Sequence, residues 1–390
     1  MEGFCFMIYL DHNATTPVHP QVLEAMMPYF MEQFGNASSS YRLGREAKIA
    51  LERSRKKIAD CIGAKPQEII FTSGGTESDN HALRGVARFL RARGSHIITS
   101  RIEHHAVLKT CEDLENEGFR ITYLPVNAHG QIDPDDVRSH IGKDTILISI
   151  MLANNETGVM QPIREAAALA ADANIVFHTD AVQAMGKTHV DVHDLGVDLL
   201  SISGHKFHGP KGVGALYIRE NTPVTPILTG GHHEHSLRPG TENVPAIVGL
   251  AEALSMAVRN QEATIQKLLR LRGKFEASIM KNIEGIHIHG MHAPRIPNTS
   301  SISFPFIEGE SILLHLDLKG IYASSGSACS ADSPEPSHVL RAMGVPPLTA
   351  QGTIRFSLGK DNTDEEMGYV IQSLIEITSR LREISTIGDV

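Results

Sequence analysis

The sequence predicts an α/β fold in which a large, mostly parallel sheet of seven strands is followed by a smaller α+β part. Between residues 68 and 218, short apolar runs alternate with amphipathic helical patterns, which is typical of βαβ units. After residue 244 the order changes to a long helical stretch and then to mixed strands and helices. With 390 residues, the chain is also long enough for two domains.

Seven apolar runs supply the strands of the predicted large sheet. In chain order they are EIIFTSG, HIITS, ITYLPV, TILISIMLA, IVFHTDA, VDLLSIS and GALYI. Two helical patterns, at residues 19–35 and 45–63, precede the first strand. The strands then alternate with helices, so we expect most of them to run parallel.

The remainder of the chain predicts a smaller unit. Residues 244–283 have the pattern of one long helix, which we interpret as the bridge to this unit. Strands IHIHG, SSISFPF and TIRFSLG, the helix GESILLHLDLKG and a closing helix at residues 363–384 follow. We therefore predict a large domain of residues 16–262, and a small domain of residues 1–15 and 263–390 that carries a cysteine loop.

The composition excludes several classes of partner and compartment. The net charge is −9, which gives no electrostatic basis for binding nucleic acid or an anionic membrane. No apolar run approaches the ~18 residues of a membrane span, and the first residues lack the basic region of a signal peptide. The four cysteines form no CxxC pair, which favours a reducing cytoplasm over a disulfide framework.

Two charged residues stand at the ends of predicted strands of the large sheet. Lys206 follows VDLLSIS, and Asp180 ends IVFHTD with Gln183 three residues later. An ammonium at the mouth of a buried strand is costly unless a partner uses it. The pair suits pyridoxal phosphate, with the lysine as Schiff-base amine and the carboxylate facing the pyridine nitrogen. For either residue alone, a surface lysine or a helix-capping aspartate is the simpler interpretation.

A glycine turn at residues 71–80, FTSGGTESDN, joins a strand to a helix. Gly75 and Thr76 stand at the start of this helix, where backbone N–H groups and the helix dipole favour a phosphate. The turn lacks the Gly-Lys-Ser/Thr of a Walker A loop, and a capped helix after a tight turn is the alternative. Together with Lys206 and Asp180, the turn favours the cofactor.

Three further polar residues lie on or directly after predicted strands. His104 follows HIITS and Asn155 follows TILISIMLA, at the strand ends where α/β sheets bind ligands. A histidine there can stack on a ring or move protons, although a helix start and a plain turn explain these residues equally well. Arg355 lies inside the apolar strand TIRFSLG, where a guanidinium needs the carboxylate of a substrate or of a structural ion pair.

The cysteines differ in their surroundings. Cys329 lies among small and polar residues before two prolines, which predicts an exposed loop and makes its thiol the candidate nucleophile. Cys61 and Cys111 lie in amphipathic helices and are predicted core residues.

The histidines and glutamate of residues 232–235 suggest a metal, but adjacent side chains rarely converge on one ion and HExxH is absent. We favour a glycine-rich loop at a subunit or site edge.

Taken together, the chain resembles the cysteine desulfurases, fold-type I pyridoxal-phosphate enzymes of the class V aminotransferase branch. The matching motifs are, in order, YLDHNATTP, FTSGGTES, EHHAVL, NNETG, HTDAVQ, SGHKFHGPKG, RPGTEN, SSGSACS and TIRFSLG. The segment around Cys329 resembles that of the subgroup with an extended cysteine loop. The chain departs from the family at His233, where glutamine is usual, and at Tyr41, where histidine is frequent.

The resemblance implies roles for these positions. Cys329, Lys206 and His104 would be the catalytic residues, and Asn155 and Arg355 would bind the substrate. In the cofactor site, a carboxylate would pair with the pyridine nitrogen, a glutamine would contact the ring hydroxyl, and the glycine turn would hold the phosphate. The residues expected to hold the cofactor are Gly75, Thr76, His104, Asn155, Asp180, Gln183, Ser203, His205 and Lys206, together with Thr241 from the partner subunit.

The activity that the resemblance implies is removal of sulfur from L-cysteine, which leaves L-alanine and a persulfide on Cys329. It also implies a homodimer and an iron–sulfur scaffold protein as sulfur acceptor, with Cys329 as a transient ligand of an iron–sulfur cluster. A selenocysteine lyase or an aminotransferase on the same scaffold is the alternative, although an aminotransferase has no need of Cys329. A non-catalytic sulfur-assembly protein is disfavoured because Lys206, Asp180 and Cys329 occur together.

Overall fold

The computed structural model describes residues 7–325 and 336–384 of the chain. The strands are β1 (Ile8–Tyr9), β2 (Ile69–Thr72), β3 (His96–Ser100), β4 (Arg120–Leu124), β5 (Thr145–Ser149), β6 (Val176–Asp180), β7 (Leu199–Ser203), β8 (Gly214–Ile218), β9 (His287–Ile288), β10 (Thr299–Ser303), β11 (Ile321–Tyr322), β12 (Ser324–Ser325) and β13 (Thr353–Ser357). The helices are α1 (Pro20–Met26), α2 (Pro28–Met31), α3 (Arg42–Ile62), α4 (Gly75–Phe89), α5 (His105–Asn116), α6 (Pro134–His140), α7 (Ile163–Asp172), α8 (Val192–Leu195), α9 (Val244–Arg259), α10 (Gln261–Asn282), α11 (Gly309–Leu318), α12 (His338–Ala342), α13 (Pro347–Gln351) and α14 (Asp364–Ile384).

The large sheet confirms the predicted fold class. It has seven strands in the order β2-β8-β7-β6-β5-β3-β4, and β8 alone runs antiparallel to its neighbours β7 and β2. Only residues 204–213 join β7 to β8, which is too short for the helical crossover that a parallel pair requires. The other strands are connected through helices, so their carboxyl ends meet at one edge of the sheet.

A second, four-stranded sheet has the order β12-β13-β10-β9, and β1 pairs separately with β11. The beginning of the chain therefore packs against residues more than three hundred positions later, at Ile321–Tyr322. We call the seven-stranded sheet with its helices the large-sheet region, and the second sheet with α10, α11 and α14 the small-sheet region. The division at residues 16–262 stays a prediction.

Two predicted helices are interrupted, so the prediction of a continuous helix is wrong for both. The long helix of residues 244–283 is divided at Asn260, whose side-chain Nδ2 donates to the carbonyl of Met256 and ends α9. The helix of residues 19–35 is divided into α1 and α2 at Pro28, which has no N–H to continue the helical hydrogen bonds. An amphipathic pattern continues across both breaks, which is why the sequence does not reveal them.

Apolar side chains form clusters on both faces of the large sheet and a third cluster in the small-sheet region. The third cluster joins Ile8 and Leu10 at the start of the chain to Phe275, Phe356 and the buried face of α14. No helix within the described ranges is long and apolar enough to span a membrane. The clusters fix the sheets that position the polar strand ends described below.

One buried ion pair joins α3 to the edge of the large sheet. The Arg55 guanidinium donates to both carboxylate oxygens of Glu234 at 2.7 Å, and both side chains are at most 3% exposed. Glu234 also accepts from the N–H of Phe71 at 2.8 Å, while Arg55 donates to the carbonyl of Ile69 at 2.6 Å. The pair therefore supplies hydrogen bonds to β2, which borders the glycine turn.

We predict that Glu234→Gln destabilises the protein by about 3 kcal/mol, because it leaves the Arg55 cation buried beside a neutral amide. The matched control is Asp60→Asn, which breaks an ion pair with Lys56 whose side chains are 66% and 58% exposed. This control should change the free energy of unfolding by less than about 0.5 kcal/mol. Urea unfolding measures both, and equal effects would show that the buried pair has no special weight.

Candidate active site

The carboxyl ends of the parallel strands open into a cavity of about 680 Å³ between the two regions. Strand β6 ends at Asp180 and β7 ends at Ser203, while α4 and α5 begin directly after β2 and β3. The structure brings most of the predicted residues to this one cavity. The predicted residues that line it are Gly75, Thr76, His104, Asn155, Asp180, Gln183, Ser203, His205, Lys206 and Arg355.

Lys206 ends a 3-10 helix that follows β7 directly. Its Nζ donates to the main-chain carbonyl of Asn13 at 2.6 Å and to that of Ala14 at 2.9 Å. The side chain thus points from the sheet edge towards the segment after β1. A lysine amine placed between two carbonyls in a half-buried cavity satisfies the hydrogen-bonding need that made this position unusual in the sequence.

The glycine turn and the first turn of α4 form one end of the cavity. Gly75 begins α4, and a Cβ at this position would lie 2.8 Å from Cγ2 of Val182. Only glycine therefore lets the backbone pass this close to Val182. The N-terminus of the 15-residue helix α4 offers N–H groups beside Ser203 and His205. His205 contacts the hydroxyl of Thr15 through Nδ1 at 3.1 Å, and burial lowers its pKa to about 4.

Asp180 and Gln183 are buried side chains that line the cavity, 6% and 5% exposed. The Oδ1 of Asp180 accepts from the N–H of Val182 at 2.8 Å, and burial raises the pKa of this carboxyl to about 6. Gln183 donates from Nε2 to the carbonyl of Asn13 at 2.9 Å and accepts from Lys187 at 2.9 Å. Both side chains are therefore fixed in place, and ionised Asp180 would gain from a cationic partner.

His104 caps the N-terminus of α5, with Nδ1 accepting from the N–H of Ala106 at 3.1 Å. A nitrogen that accepts cannot carry the proton, so neutral His104 has its proton on Nε2. Burial, with a smaller contribution from Lys206, lowers the pKa of His104 to about 4. Near neutral pH, His104 therefore presents a hydrogen-bond donor through Nε2.

Arg355 on β13 brings the small-sheet region into the cavity. It donates from Nη2 to Asp11 at 2.7 Å and from Nη1 to the carbonyl of Asn155 at 3.0 Å. The sequence left open whether Arg355 pairs with a substrate carboxylate or with a carboxylate of the protein. In the structure its partner is Asp11, which is a structural ion pair. Arg355 also lines the cavity, so the ion pair and contact with a substrate carboxylate are compatible.

Several predicted features lie elsewhere. Thr241 is exposed and does not line this cavity, and its contribution to a partner subunit's site stays a prediction. Cys329 lies outside the described residues. In residues 7–325 and 336–384, no group of three histidine, cysteine or acidic side chains is placed to hold a metal. Of the predicted core cysteines, Cys111 is buried and Cys61 half-buried.

Sequence reasoning assigned no role to several residues that line the cavity. Asn13 and Asp79 belong to motifs that were recognised, YLDHNATTP and FTSGGTESDN, but nothing local distinguishes them. Glu156 is buried and its Oε2 accepts from the hydroxyl of Ser337. His338, which donates from Nε2 to the carbonyl of Glu103 at 2.9 Å, had no signal in the sequence.

Carboxyls in and beside the cavity titrate at unusually high pH because they are buried. Burial raises the pKa of Glu103 to about 8 and that of Glu156 to about 7. The pKa of Asp79 is also raised, first by burial and then by the charge of Asp180. Glu103 is satisfied by Ser100 and by the N–H of Met151. The site without a ligand therefore holds protons that an unfolded chain would release.

Glu103 and Glu156 each contribute stability that is lost as pH rises from about 5 to about 8. The unfolded chain releases these protons near pH 4.5, whereas the folded protein holds them until about pH 8 and about pH 7. Histidines whose pKa is lowered by burial, such as His104 and His205, act in the opposite direction below about pH 6.5, so the prediction concerns the difference between variant and wild type. The stability of Glu103→Gln relative to wild type should therefore rise across this pH range, whereas that of Glu284→Gln, at an exposed position, should stay constant. Urea midpoints measured across the range test the prediction, and a difference for Glu103→Gln that does not change with pH would contradict it.

Comparison with known proteins agrees with the geometry. The family model for aminotransferase class-V matches residues 8–370. A curated protein named cysteine desulfurase IscS, from Dictyoglomus turgidum, is 53% identical over 378 residues, which is 97% of this chain and 96% of the relative. The relationship therefore extends over both regions and is not confined to the cavity.

Solved structures give the same result. A NifS-like protein, 41% identical, superposes with a TM-score of 0.91 and covers 96% of this chain and 100% of its own. SspA in complex with cysteine, 38% identical, has a TM-score of 0.81 and covers 92% of this chain and 100% of its own. The chain belongs to the aminotransferase class-V family and, within it, to the cysteine desulfurases.

Proposed function

We propose that this protein removes sulfur from L-cysteine with pyridoxal phosphate bound at Lys206. The observation that carries the proposal is the convergence of Lys206, Asp180 and the start of α4 on one cavity. The names of the relatives support the reaction, and the solved complex of SspA with cysteine supports the substrate. The proposed product pair is L-alanine and a persulfide.

The residues of the cavity fit pyridoxal phosphate. At one end, the close backbone approach at Gly75, the N–H groups of α4 and the Ser203 hydroxyl suit a phosphate. Asp180 is a buried carboxyl with one oxygen engaged by a backbone N–H, which suits a protonated ring nitrogen as its partner. The Lys206 amine lies in the same cavity, as the amine that would hold the aldehyde.

When bound, pyridoxal phosphate supplies an electron sink for the pair released as a bond to the substrate's α-carbon breaks. The chain's own residues bind and orient. Arg355 provides a guanidinium for the substrate carboxylate, with Asn155 beside it. His104 provides an Nε2–H donor over the cavity. Lys206 would accept and return protons at the reacting end, because its amine lines the same cavity as these residues.

Cys329 is the proposed nucleophile. Its thiolate would attack the sulfur of L-cysteine, breaking the carbon–sulfur bond and forming a sulfur–sulfur bond. One L-cysteine and one thiol thus give one L-alanine and one persulfide, and the proton count balances. The persulfide sulfur would pass to an acceptor protein for iron–sulfur cluster assembly, and Thr241 would complete the site of a partner subunit in a homodimer.

The decisive experiment is Cys329→Ala in the full-length protein. The absorbance band of lysine-bound pyridoxal phosphate, at about 420 nm, should remain. The production of alanine and sulfide should fall by about 10³-fold or more. The matched control is Cys61→Ala, at a half-buried cysteine outside the cavity, which should keep wild-type turnover. Full desulfuration by the Cys329 variant would refute the proposed nucleophile.

A second experiment addresses the cofactor. Asp180→Asn replaces the buried carboxylate with a neutral group of the same shape, so a protonated ring nitrogen loses its counter-charge. We expect the rate of alanine formation to fall by about 10²-fold or more, as when a group that stabilises charge in the transition state is removed. Steady-state kinetics with L-cysteine measure this, and a variant as active as wild type would exclude the pairing.

A further inference from the structure

The two carbonyls that receive the Lys206 amine come from a segment far away in sequence. Asn13 and Ala14 follow β1 and cross from the small-sheet region to the end of β7. Both groups are main-chain acceptors, so their bonds to Nζ use two of its N–H groups. The contact is therefore made by the backbone itself, and a side chain at these two positions acts on it only by holding the backbone in place.

The position of the Asn13 carbonyl is fixed by the rest of that residue, which is 1% exposed. Its Oδ1 accepts from Lys187 at 3.1 Å and from Asn298 at 3.0 Å. Its Nδ2 donates to Thr299 Oγ1 at 2.8 Å and to the carbonyl of Asn155 at 3.2 Å. These partners come from both regions, so the residue is held from two sides.

The same carbonyl oxygen serves a second cavity residue. It accepts from Gln183 Nε2 at 2.9 Å as well as from Lys206 Nζ at 2.6 Å. The Gln183 amide is in turn oriented by Lys187, whose Nζ donates to Oε1 at 2.9 Å. A displacement of Asn13 would therefore move the acceptors of Lys206 and Gln183 together.

We propose that the carbonyls of Asn13 and Ala14 form a seat for the Lys206 amine whenever it is not bonded to the cofactor, and that Asn13 is the positioning residue that holds this seat. The proposal rests on the proposed function, in which Lys206 must release the cofactor to the substrate in each turnover. Arg355 already brings positive charge to this part of the protein, and the pKa of Lys187 is lowered there, first by burial and then by the charges of Lys206 and Arg355. An ammonium released there without acceptors would be costly, and the seat supplies them.

The seat also keeps the amine close to where it must react again. A group that is held within reach of its reaction partner has a high effective concentration. A lysine side chain that adopts many conformations in the cavity has a lower one. Asn13 acts only through its carbonyl and through the residues it holds. It is therefore assigned no proton transfer and no contact with reacting atoms.

The test uses full-length Lys206→Ala, freed of cofactor, with n-propylammonium as the probe because it matches the side-chain atoms that the substitution deletes. We expect saturable binding to this variant, measured by calorimetry and by a rise in melting temperature, and none to wild type, whose own lysine fills the seat. Tetramethylammonium has no N–H donor and should not bind. Equal binding of the two cations, or binding to wild type, would overturn the seat.

Asn13→Ala, added to Lys206→Ala, should raise the half-saturating concentration of n-propylammonium about five- to tenfold, because the carbonyl loses the contacts that hold it. Thr299→Val removes only one of these contacts and should raise the half-saturating concentration about two- to threefold. This second variant keeps the test informative if the Asn13 variant does not fold. Thr378→Val is the matched control, at a buried threonine of α14 whose hydroxyl donates to the carbonyls of Leu374 and Ile375 and which does not line the cavity.

The outcomes separate this proposal from the proposed function. Because binding of n-propylammonium requires no turnover, its failure would overturn the seat and leave the cysteine desulfurase activity intact. Unchanged binding in both the Asn13 and Thr299 variants would overturn the positioning role of Asn13. In otherwise wild-type protein, Thr299→Val should lower kcat more than it changes KM, since the substrate's own contacts remain.

Discussion

The structure depends on the segment of residues 8–16, which belongs to both regions at once. Its first residues pair with β11 in the small-sheet region, and its last residues contact the end of β7 in the large-sheet region. Between them, Asp11 bonds Arg355 and the Asn13 carbonyl accepts from Lys206. The shape of the cavity depends on how the two sheets are placed relative to each other. The segment of residues 8–16 contributes hydrogen bonds to both regions and so helps to fix that placement.

The polar groups around the cavity are arranged so that few charges are buried without a partner. His104, His205 and His178 have pKa values lowered by burial, so all three imidazoles are neutral near pH 7. Burial raises the pKa of Glu103 to about 8, so this carboxyl is largely protonated there, and burial also raises the pKa of Asp79. Because His178 is neutral, its 3.6 Å contact with Asp79 is not an ion pair. Lys206 and Arg355 line the same cavity and are cations that an anionic ligand would contact.

The parts of the fold that the sequence predicts well are those set by local periodicity. All seven strands of the large sheet were recognised because each is a short apolar run bounded by turn residues, and Lys206, Asp180 and Gly75 were recognised because they stand at the ends of those runs. The breaks at Pro28 and Asn260 were missed because hydrophobic spacing continues through them. Likewise, Asn13 and Asp11 have no local signal, since their partners lie 142 to 344 positions away.

Arg355 illustrates why such distant contacts matter for chemistry. A long, flexible side chain loses conformational freedom when it binds a substrate, and that loss weakens binding unless the side chain is already ordered. Here Asp11 and the Asn155 carbonyl each hold one end of the guanidinium plane, and among the described residues its buried Nε has no hydrogen-bond partner. An incoming carboxylate therefore meets a planar cation whose orientation is already fixed. A lysine could not reproduce this, because a single ammonium cannot be anchored at both ends while still facing the cavity. The ion pair with Asp11 is thus a structural contact that also prepares the residue to recognise a substrate.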